Sequence, residues 1–580
     1  MRVALSGEAI EPGTLRSLLP KRTRWLILGV FMMTVATFLA TSTGQFRQID
    51  DVNIYSTTHS LTSLLPNVDV CHGTNQTADF LYAGGRFGCV DPNQQQLQNS
   101  YQVGANGKFV SRYGIGEPLA AAPFFGAGRI VADILSDEAS GRCTGSTAIA
   151  CCTTLVRNPN EFRANCQGDT RDMILQTGTL FTNALLTAIT LVLVMIVSLQ
   201  LGAPLRGAAL IGFAFGFGSF AFAYTKTLST EPGTAMCLIA AVMFAIEAAR
   251  TGRRNMLVAC GVAAGLALFF RVTAATFLPV LGIWLLVVAY RKLGLNGALR
   301  FGVFFSGGAL ASLAVLAALN SWRYGNPLSI GYGQTGSTLH DTNAHGSLLR
   351  GLWGLWLSPG KSIFLYAPFV LMSVAGLVVS IRRLPAEITL LLALVVANTL
   401  FFARVRFWSG DWAWGPRYML IILPCLAVMC APLVGMVRWR RALTALAALG
   451  FLLPGMLGVT VNFNTFYGRA KATLGDNFRN SVYHDWSWQP IWRHIGILQE
   501  ALRNLGKPFG LLYLTAKPRL DIWWLDSRWW LPQRPMRLVA VISMLLFIGA
   551  VAVGGVIILR RALRSPVATP VATRSGLAPE

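Results

Sequence analysis

The chain has 580 residues, 53% of them hydrophobic and 13% charged, about half the charge of an ordinary globular domain. With a mean hydropathy of +0.51 and repeated apolar runs of about 17–25 residues, this describes a polytopic membrane protein. It excludes a soluble multidomain protein, a disordered scaffold and an outer-membrane barrel, whose strands would alternate over about 10 residues. The net charge of +24 does not point to nucleic acid, because the basic residues cluster at the ends of apolar runs: Lys21-Arg22-Thr23-Arg24, Arg250 with Arg253-Arg254, Arg291-Lys292, Arg382-Arg383, Arg438 with Arg440-Arg441, and Arg560-Arg561 with Arg564. Such clusters are the positive-inside signature of helices oriented in a bilayer.

In chain order, residues 1–24 form a basic cytoplasmic start, and the run 25–40 follows it as the first span. Ala40-Thr41-Ser42 offers no clear cleavage junction, so this run is expected to stay as an uncleaved helix. Further spans are expected at 173–199, 207–224, 232–249, 255–270, 272–290, 301–319, 362–380, 386–403, 417–436, 442–462 and 536–559. About twelve spans place both termini in the cytoplasm, with 560–580 as a tail, and put the chain in the cytoplasmic membrane. The apolar segment 118–135 would invert every later basic cluster if it crossed. It is therefore expected to lie in the membrane interface, in keeping with its Arg129 and Asp133. Residues 25–462 then form one transmembrane region, followed by a Trp-rich outer loop at 463–535.

Three outer segments exceed simple turns: 42–172, 320–361 and 463–535. Loops of that size usually carry function, so the working surface is expected outside. Six of the ten cysteines (Cys71, Cys89, Cys143, Cys151, Cys152, Cys166) sit in the first loop, which suggests disulfides of unassigned pairing. Asn75-Gln76-Thr77 is a glycosylation sequon by pattern only.

Asp50 and Asp51 stand just past the outer end of the first helix, anchored yet within reach of water, where a general base can work. Adjacent helical residues point about 100° apart, so one is expected to act while the other positions or caps. Four further segments face the same side: Lys108-Phe109-Val110-Ser111-Arg112-Tyr113-Gly114-Ile115-Gly116, Lys226-Thr227-Leu228-Ser229-Thr230-Glu231-Pro232, Ser358-Pro359-Gly360-Lys361, and Trp414-Gly415-Pro416-Arg417-Tyr418. Arg271 marks another outer turn, and Asp411 lies in the loop before the tenth span. Singly, such cations snorkel to lipid phosphates and the aromatics form an interfacial belt. Together they oppose the positive-inside trend and can hold a phosphate at the lipid boundary.

This ordered set, over about residues 45–425, resembles the polyprenyl-phosphate-dependent GT-C glycosyltransferases, in particular bacterial relatives of the protein O-mannosyltransferase and aminoarabinose-transferase group. It departs from the family's usual opening: Asp-Val-Asn follows Asp50 where an acidic residue is often followed by Glu and a Pro-His pair. The resemblance implies an all-helical GT-C fold and transfer of a sugar from a polyprenyl-phosphate donor to an outer acceptor, which is a glycan, lipid or protein. Asp50 or Asp51 is then the base; Arg417, Lys361, Arg112 and Lys226 are candidates for the donor phosphate; Glu231, Asp411 and Tyr113 are candidates to orient sugar hydroxyls. No cofactor is required, and metal dependence stays open, since two adjacent aspartates are not a coordination shell. Competing readings are a transporter or lipid flippase and a non-catalytic envelope-assembly protein. The spans show no mid-membrane charge and no clear repeat, which argues against a coupled transporter. Trp523-Trp524-Leu525-Asp526 only loosely resembles an oligosaccharyltransferase signature. His484, Asp485, His494 and Asp521 among the tryptophans of the last loop fit a packed cover over the cleft.

Overall fold

A computed structural model describes residues 19–44, 46, 49–62, 77–81, 86–90, 101–103, 105, 109–135, 170–329, 331, 346–380, 385–504, 518, 520–525 and 535–564. The architecture is helical. The principal helices are α1 (Lys21–Ala40), α2 (Ile49–Thr62), α3 (Gly116–Leu135), α4 (Thr170–Leu180), α5 (Thr182–Gln200), α6 (Leu205–Gly216), α7 (Glu231–Thr251), α8 (Arg254–Phe270) and α9 (Phe277–Tyr324). They continue as α10 (Leu348–Trp356), α11 (Val370–Ser380), α12 (Ala386–Arg404), α13 (Val437–Gly450), α14 (Phe463–Leu474), α15 (Phe478–His484), α16 (Pro490–Arg503) and α17 (Pro535–Arg564). Two short antiparallel hairpins, β1 (Thr77–Leu81) with β2 (Arg86–Val90) and β3 (Tyr101–Val103) with β4 (Phe109–Ser111), complete the described elements.

Eight helical stretches among the described residues are long and apolar enough to cross a membrane, and four shorter apolar helices accompany them. One of the eight, Val272–Tyr324, is 53 residues long. It turns back at Gly294, whose φ of 68° lies in the left-handed region that only glycine enters without strain. Counting it as two legs, leaving α3 aside and adding the shorter helices gives twelve apolar helical segments among the described residues.

Contacts tie helix ends together at both ends of the bundle. At the basic end, Arg22 Nε donates to the Ala562 carbonyl (2.9 Å). Arg250 donates there to the Gln200 carbonyl (2.8 Å) and to Glu387 (2.9 Å), and Lys292 to the Ala249 carbonyl (3.1 Å). At the opposite end, hereafter the loop face, α1 terminates beneath the segment 521–525. The last carbonyls of a helix have no intrahelical donor. Here Trp523 Nε1 bonds the Leu39 carbonyl (2.9 Å) and Trp524 Nε1 the Ala40 carbonyl (2.8 Å). The paired tryptophans thus have a capping task.

Although α3 is long and apolar enough to span, both its ends lie on the loop face. Its first residues press against Phe269 and Phe270 at the end of α8. Its far end is held by the Asp133–Arg171 pair, beside Thr170, which Arg537 at the loop-face end of α17 bonds at 2.9 Å.

The structure also breaks up several runs expected to be single spans. The run 207–224 is α6 plus a single turn, Ala221–Tyr224. Residues 362–380 become the turn Ile363–Tyr366, then Pro368, then α11, and 417–436 is a 3-10 turn, Arg417–Ile422, leading into Leu423–Val428. In 442–462, α13 widens into a π turn at Phe451–Gly455 around Pro454. Proline removes a backbone donor, and the loosened Pro454 carbonyl is taken by Trp414 Nε1 at 2.8 Å. Residues 463–504 are not an irregular loop but the helices α14 to α16. The expected disulfides fall on Cys71, Cys143, Cys151, Cys152 and Cys166, outside the described residues, and on Cys89, described by backbone alone. Cys237, Cys260, Cys425 and Cys430 are free and buried.

Candidate active site

Chain segments from every part of the sequence converge on the loop face. Asp50 and Asp51 occupy the first turn of α2, where the helix N-terminus favours negative charge. Both are buried and they point to different partners, as adjacent helical residues must. Asp50 Oδ1 accepts from the Tyr113 hydroxyl at 2.6 Å, and Oδ2 is paired with Arg417 Nη2. Arg417 Nε donates to Glu231 Oε1 at 2.6 Å, and the same oxygen receives Arg271 Nη1 at 2.6 Å. The guanidinium of Arg271 also lies over the Tyr418 ring, 4.9 Å from its centre. The result is a buried chain, Tyr113–Asp50–Arg417–Glu231–Arg271, built from five separate segments. Burial pushes the Asp50 carboxyl up, but Arg417, the Tyr113 hydroxyl and Arg271 outweigh it and hold it below the ordinary carboxylate value.

Asp51 works on the backbone. Its Oδ1 accepts from the Leu228 amide at 2.7 Å. From the other side Asn183 Nδ2 donates to the Thr227 and Ser229 carbonyls at 2.7 and 2.8 Å. The turn that presents Glu231 is therefore clamped by two buried side chains. Lys226 completes the clamp, donating to the carbonyls of Val459 (2.6 Å), Thr41 (3.2 Å) and Asp521.

Tyr113 is positioned from α9. Arg323, buried at the last turn of that helix, donates to the Ser111 and Tyr113 carbonyls at 2.8 and 3.1 Å, and the Tyr324 hydroxyl adds a bond to Ser111 at 2.9 Å. The next residues approach α8 so closely that a Cβ on Gly116 would lie 2.7 Å from the Phe269 carbonyl carbon. Only glycine permits that approach. Arg112 is half-buried in the same turn.

Lys361 and Asp411 form a second group. Lys361 Nζ donates to the Asp411 and Ala413 carbonyls at 3.0 and 2.6 Å, and lies over the rings of Tyr467 and Tyr483. Burial pushes its amine down to about 7, with Asp411 opposing and Arg417 adding to the shift. The Asp411 carboxylate points outward to a bidentate pair with Arg479, at 2.9 and 3.1 Å. Above this group α16 buries His494 against Trp414, ring centres 4.4 Å apart, while His484 stacks on Trp353 at 4.9 Å. Asp485 accepts from the Ser487 amide at 2.8 Å and Asp521 from the Thr43 hydroxyl at 2.6 Å.

Of the residues singled out by sequence, the structure thus joins Asp50, Tyr113, Glu231 and Arg417 directly. Asp51 and Lys226 sit behind them, and Lys361 and Asp411 beside them. Sequence reasoning passed over Arg271 as a ligand of Glu231, Arg323 as the support of Tyr113, and Glu117. All three are charged residues within or at the end of apolar helices, which was the available signal. Among the described residues no group of three His, Cys, Asp or Glu is arranged to hold a metal ion.

No family model and no curated protein matches the chain. Among solved structures it is similar to the crystal structure of ArnT from Cupriavidus metallidurans bound to undecaprenyl phosphate, at 14% identity and a TM-score of 0.41, with 92% of this chain and 77% of that one covered.

Proposed function

We propose that the chain is a GT-C-type membrane glycosyltransferase that moves a sugar from a polyprenyl-phosphate donor to an acceptor on the extracytoplasmic side of the cytoplasmic membrane. The acceptor class is a glycan, lipid or protein of the envelope, and both termini lie in the cytoplasm. The observation that carries this reading is the buried Asp50–Arg417 pair, coupled to Tyr113, Glu231 and Arg271, at one end of a lipid-spanning bundle. A buried ion network is a poor device for stability alone, since burying its charges costs about as much as their attraction returns.

In the resting chain Arg417 neutralises Asp50. A donor phosphate competes for the same guanidinium, which presents five donors suited to phosphate oxygens. Arg417 then holds the phosphate, with Arg112, Lys361 and Lys226 completing the positive surroundings, and Asp50 is released to accept a proton. The acceptor hydroxyl oxygen forms the new bond to the anomeric carbon. The bond from that carbon to the phosphate oxygen breaks, its electron pair stays on the phosphate beside Arg417, and the hydroxyl proton passes to Asp50. One displacement inverts the anomeric centre. Asp51 serves as a positioning residue for the turn that carries Glu231, and Tyr113 and Asp411 orient sugar hydroxyls.

The test is release of polyprenyl phosphate from labelled polyprenyl-phosphate mannose, arabinose and glucose by the purified protein, with a cell-envelope extract as acceptor. Release above a no-protein control from one donor is the expected result. Absence of release from every donor by folded protein overturns the reading.

A further inference from the structure

The scheme above leaves the chemistry of Glu117 unused. It opens α3, is fully buried, and neither carboxyl oxygen has a hydrogen-bond partner among the described residues. The charged groups that act on it are themselves acidic, Glu231 and Asp51. Glu231 Oε2 likewise has no partner among the described residues, although Oε1 holds both Arg417 and Arg271. Gly114 and Gly116 seat this segment against the backbone of Phe269 and Phe270.

The site is therefore divided by charge. Around Arg417 and Arg271 it offers donors to an anion. Around Glu117 and Glu231 Oε2 it offers no cation: burial, with Glu231 and Asp51 acting on it, holds the Glu117 carboxyl well above the ordinary carboxylate value, so it stays uncharged, a setting that suits neutral hydroxyl groups rather than phosphate. A buried polar group left unpaired destabilises the fold, and retention of one beside a reaction centre marks a ligand contact. A metal ion is the other ligand class carboxyls take, but no metal-holding group occurs among the described residues. We infer that Glu117, with Glu231 Oε2, receives hydroxyl groups of the transferred sugar and so sets the ring's orientation relative to the phosphate held by Arg417. This inference rests on the proposed function, and makes Glu117 a specificity-determining residue for the sugar rather than for the lipid.

The test compares two ligands on the full chain in lipid nanodiscs: bare polyprenyl phosphate, and the polyprenyl-phosphate sugar that gives the strongest wild-type signal. Binding of each and thermal unfolding of the ligand-free protein are measured for wild type, Glu117→Gln and Glu117→Asp. Glu117→Gln is expected to unfold at the same or a higher temperature than wild type. It should bind the bare lipid within twofold of wild type and the sugar-bearing lipid at least tenfold more weakly. Glu117→Asp should fall between, and it carries the comparison if the Gln variant does not fold. An unchanged ratio of the two affinities, or equal weakening of both with a lower unfolding temperature, overturns the inference, the latter assigning Glu117 a structural role. Sugar discrimination that a chelator abolishes in wild type overturns it in favour of a bound cation. Wild-type protein that binds neither lipid removes the proposed function itself, a result distinct from any of these.

Discussion

The two charged groups on the loop face use similar residues to opposite ends. Around Asp50, side chains pair with side chains: Tyr113, Arg417, Glu231 and Arg271 satisfy one another out of water. Around Lys361, the amine is spent on the Asp411 and Ala413 carbonyls, and the Asp411 carboxylate meets Arg479 at the surface, with both side chains about half exposed. Lys226 follows the second pattern, with backbone carbonyls as its main partners. A cation bound to carbonyls fixes the chain. A cation bound to carboxylates can exchange one anion for another when a phosphate arrives, because the displaced carboxylate then has work to do. The contrast supports the proposal of a reaction centre at Arg417, with Lys361 and Lys226 sharing in holding its shape and field.

The largest expected effect is on the first group. Arg417→Met leaves Asp50 and Glu231 without a principal counter-charge, and breaking a buried pair costs about 3–5 kcal/mol. A denaturant melt should therefore show marked destabilisation together with loss of turnover, whereas Arg417→Met with wild-type stability would break the comparison. Next comes Arg323→Met, which takes its donor from the Tyr113 carbonyl at a cost of about 1–3 kcal/mol, while Ser111 keeps its bond from the Tyr324 hydroxyl. Because Tyr113 bonds Asp50, the account expects turnover to fall by more than donor affinity, a split that steady-state kinetics reads.

Smaller is the pH behaviour of the two groups, which has the same sign in two different windows. The Asp50 carboxyl is held below 3.8, so its pairing stabilises the fold above the ordinary carboxylate range and is lost only as pH falls through its lowered value. The acid limb of kcat/KM should accordingly lie below pH 3.8. The Lys361 amine sits at about 7 against an ordinary 10.5, so between those values the unfolded chain binds the extra proton and stability rises with pH. Lys361→Met should flatten that rise in a series of melts; an unaltered slope would show that Lys361 does not titrate in this window. The smallest effect belongs to Arg479→Ala, which removes a half-exposed pair of no more than about 1 kcal/mol and should leave unfolding nearly unchanged.

Much of this fold was legible because bilayer and water impose different compositions. The apolar runs anticipated the long apolar helices, among which α3 is also long and apolar enough to cross. Breaks inside passes were harder to foresee. Pro368, Pro424 and Pro454 were visible, but where the freed backbone would bond depended on distant partners such as Trp414. The site was legible in its residue types and not in its pairings. Asp50 and Arg417 are 367 positions apart, and nothing local to either announces the other. Lys226 and Lys361 drew attention as outer cations, yet whether an amine faces a ligand or a carbonyl is decided by the packing of remote segments. Glu117 went unused because its proline- and alanine-rich surroundings look like plain membrane-interface helix, and its lack of partners appears only once the neighbours are in place.

The central claim is that the carboxylate beside Arg417 acts in the reaction while its neighbour positions the chain. Single-turnover release of labelled polyprenyl phosphate by Asp50→Asn and Asp51→Asn, each assayed as folded protein with its unfolding temperature recorded, tests it most directly. The account expects Asp50→Asn to lose about 10²–10⁴-fold in rate, the usual contribution of a general base, and Asp51→Asn to lose less while melting earlier. A fully active Asp50→Asn protein would contradict it.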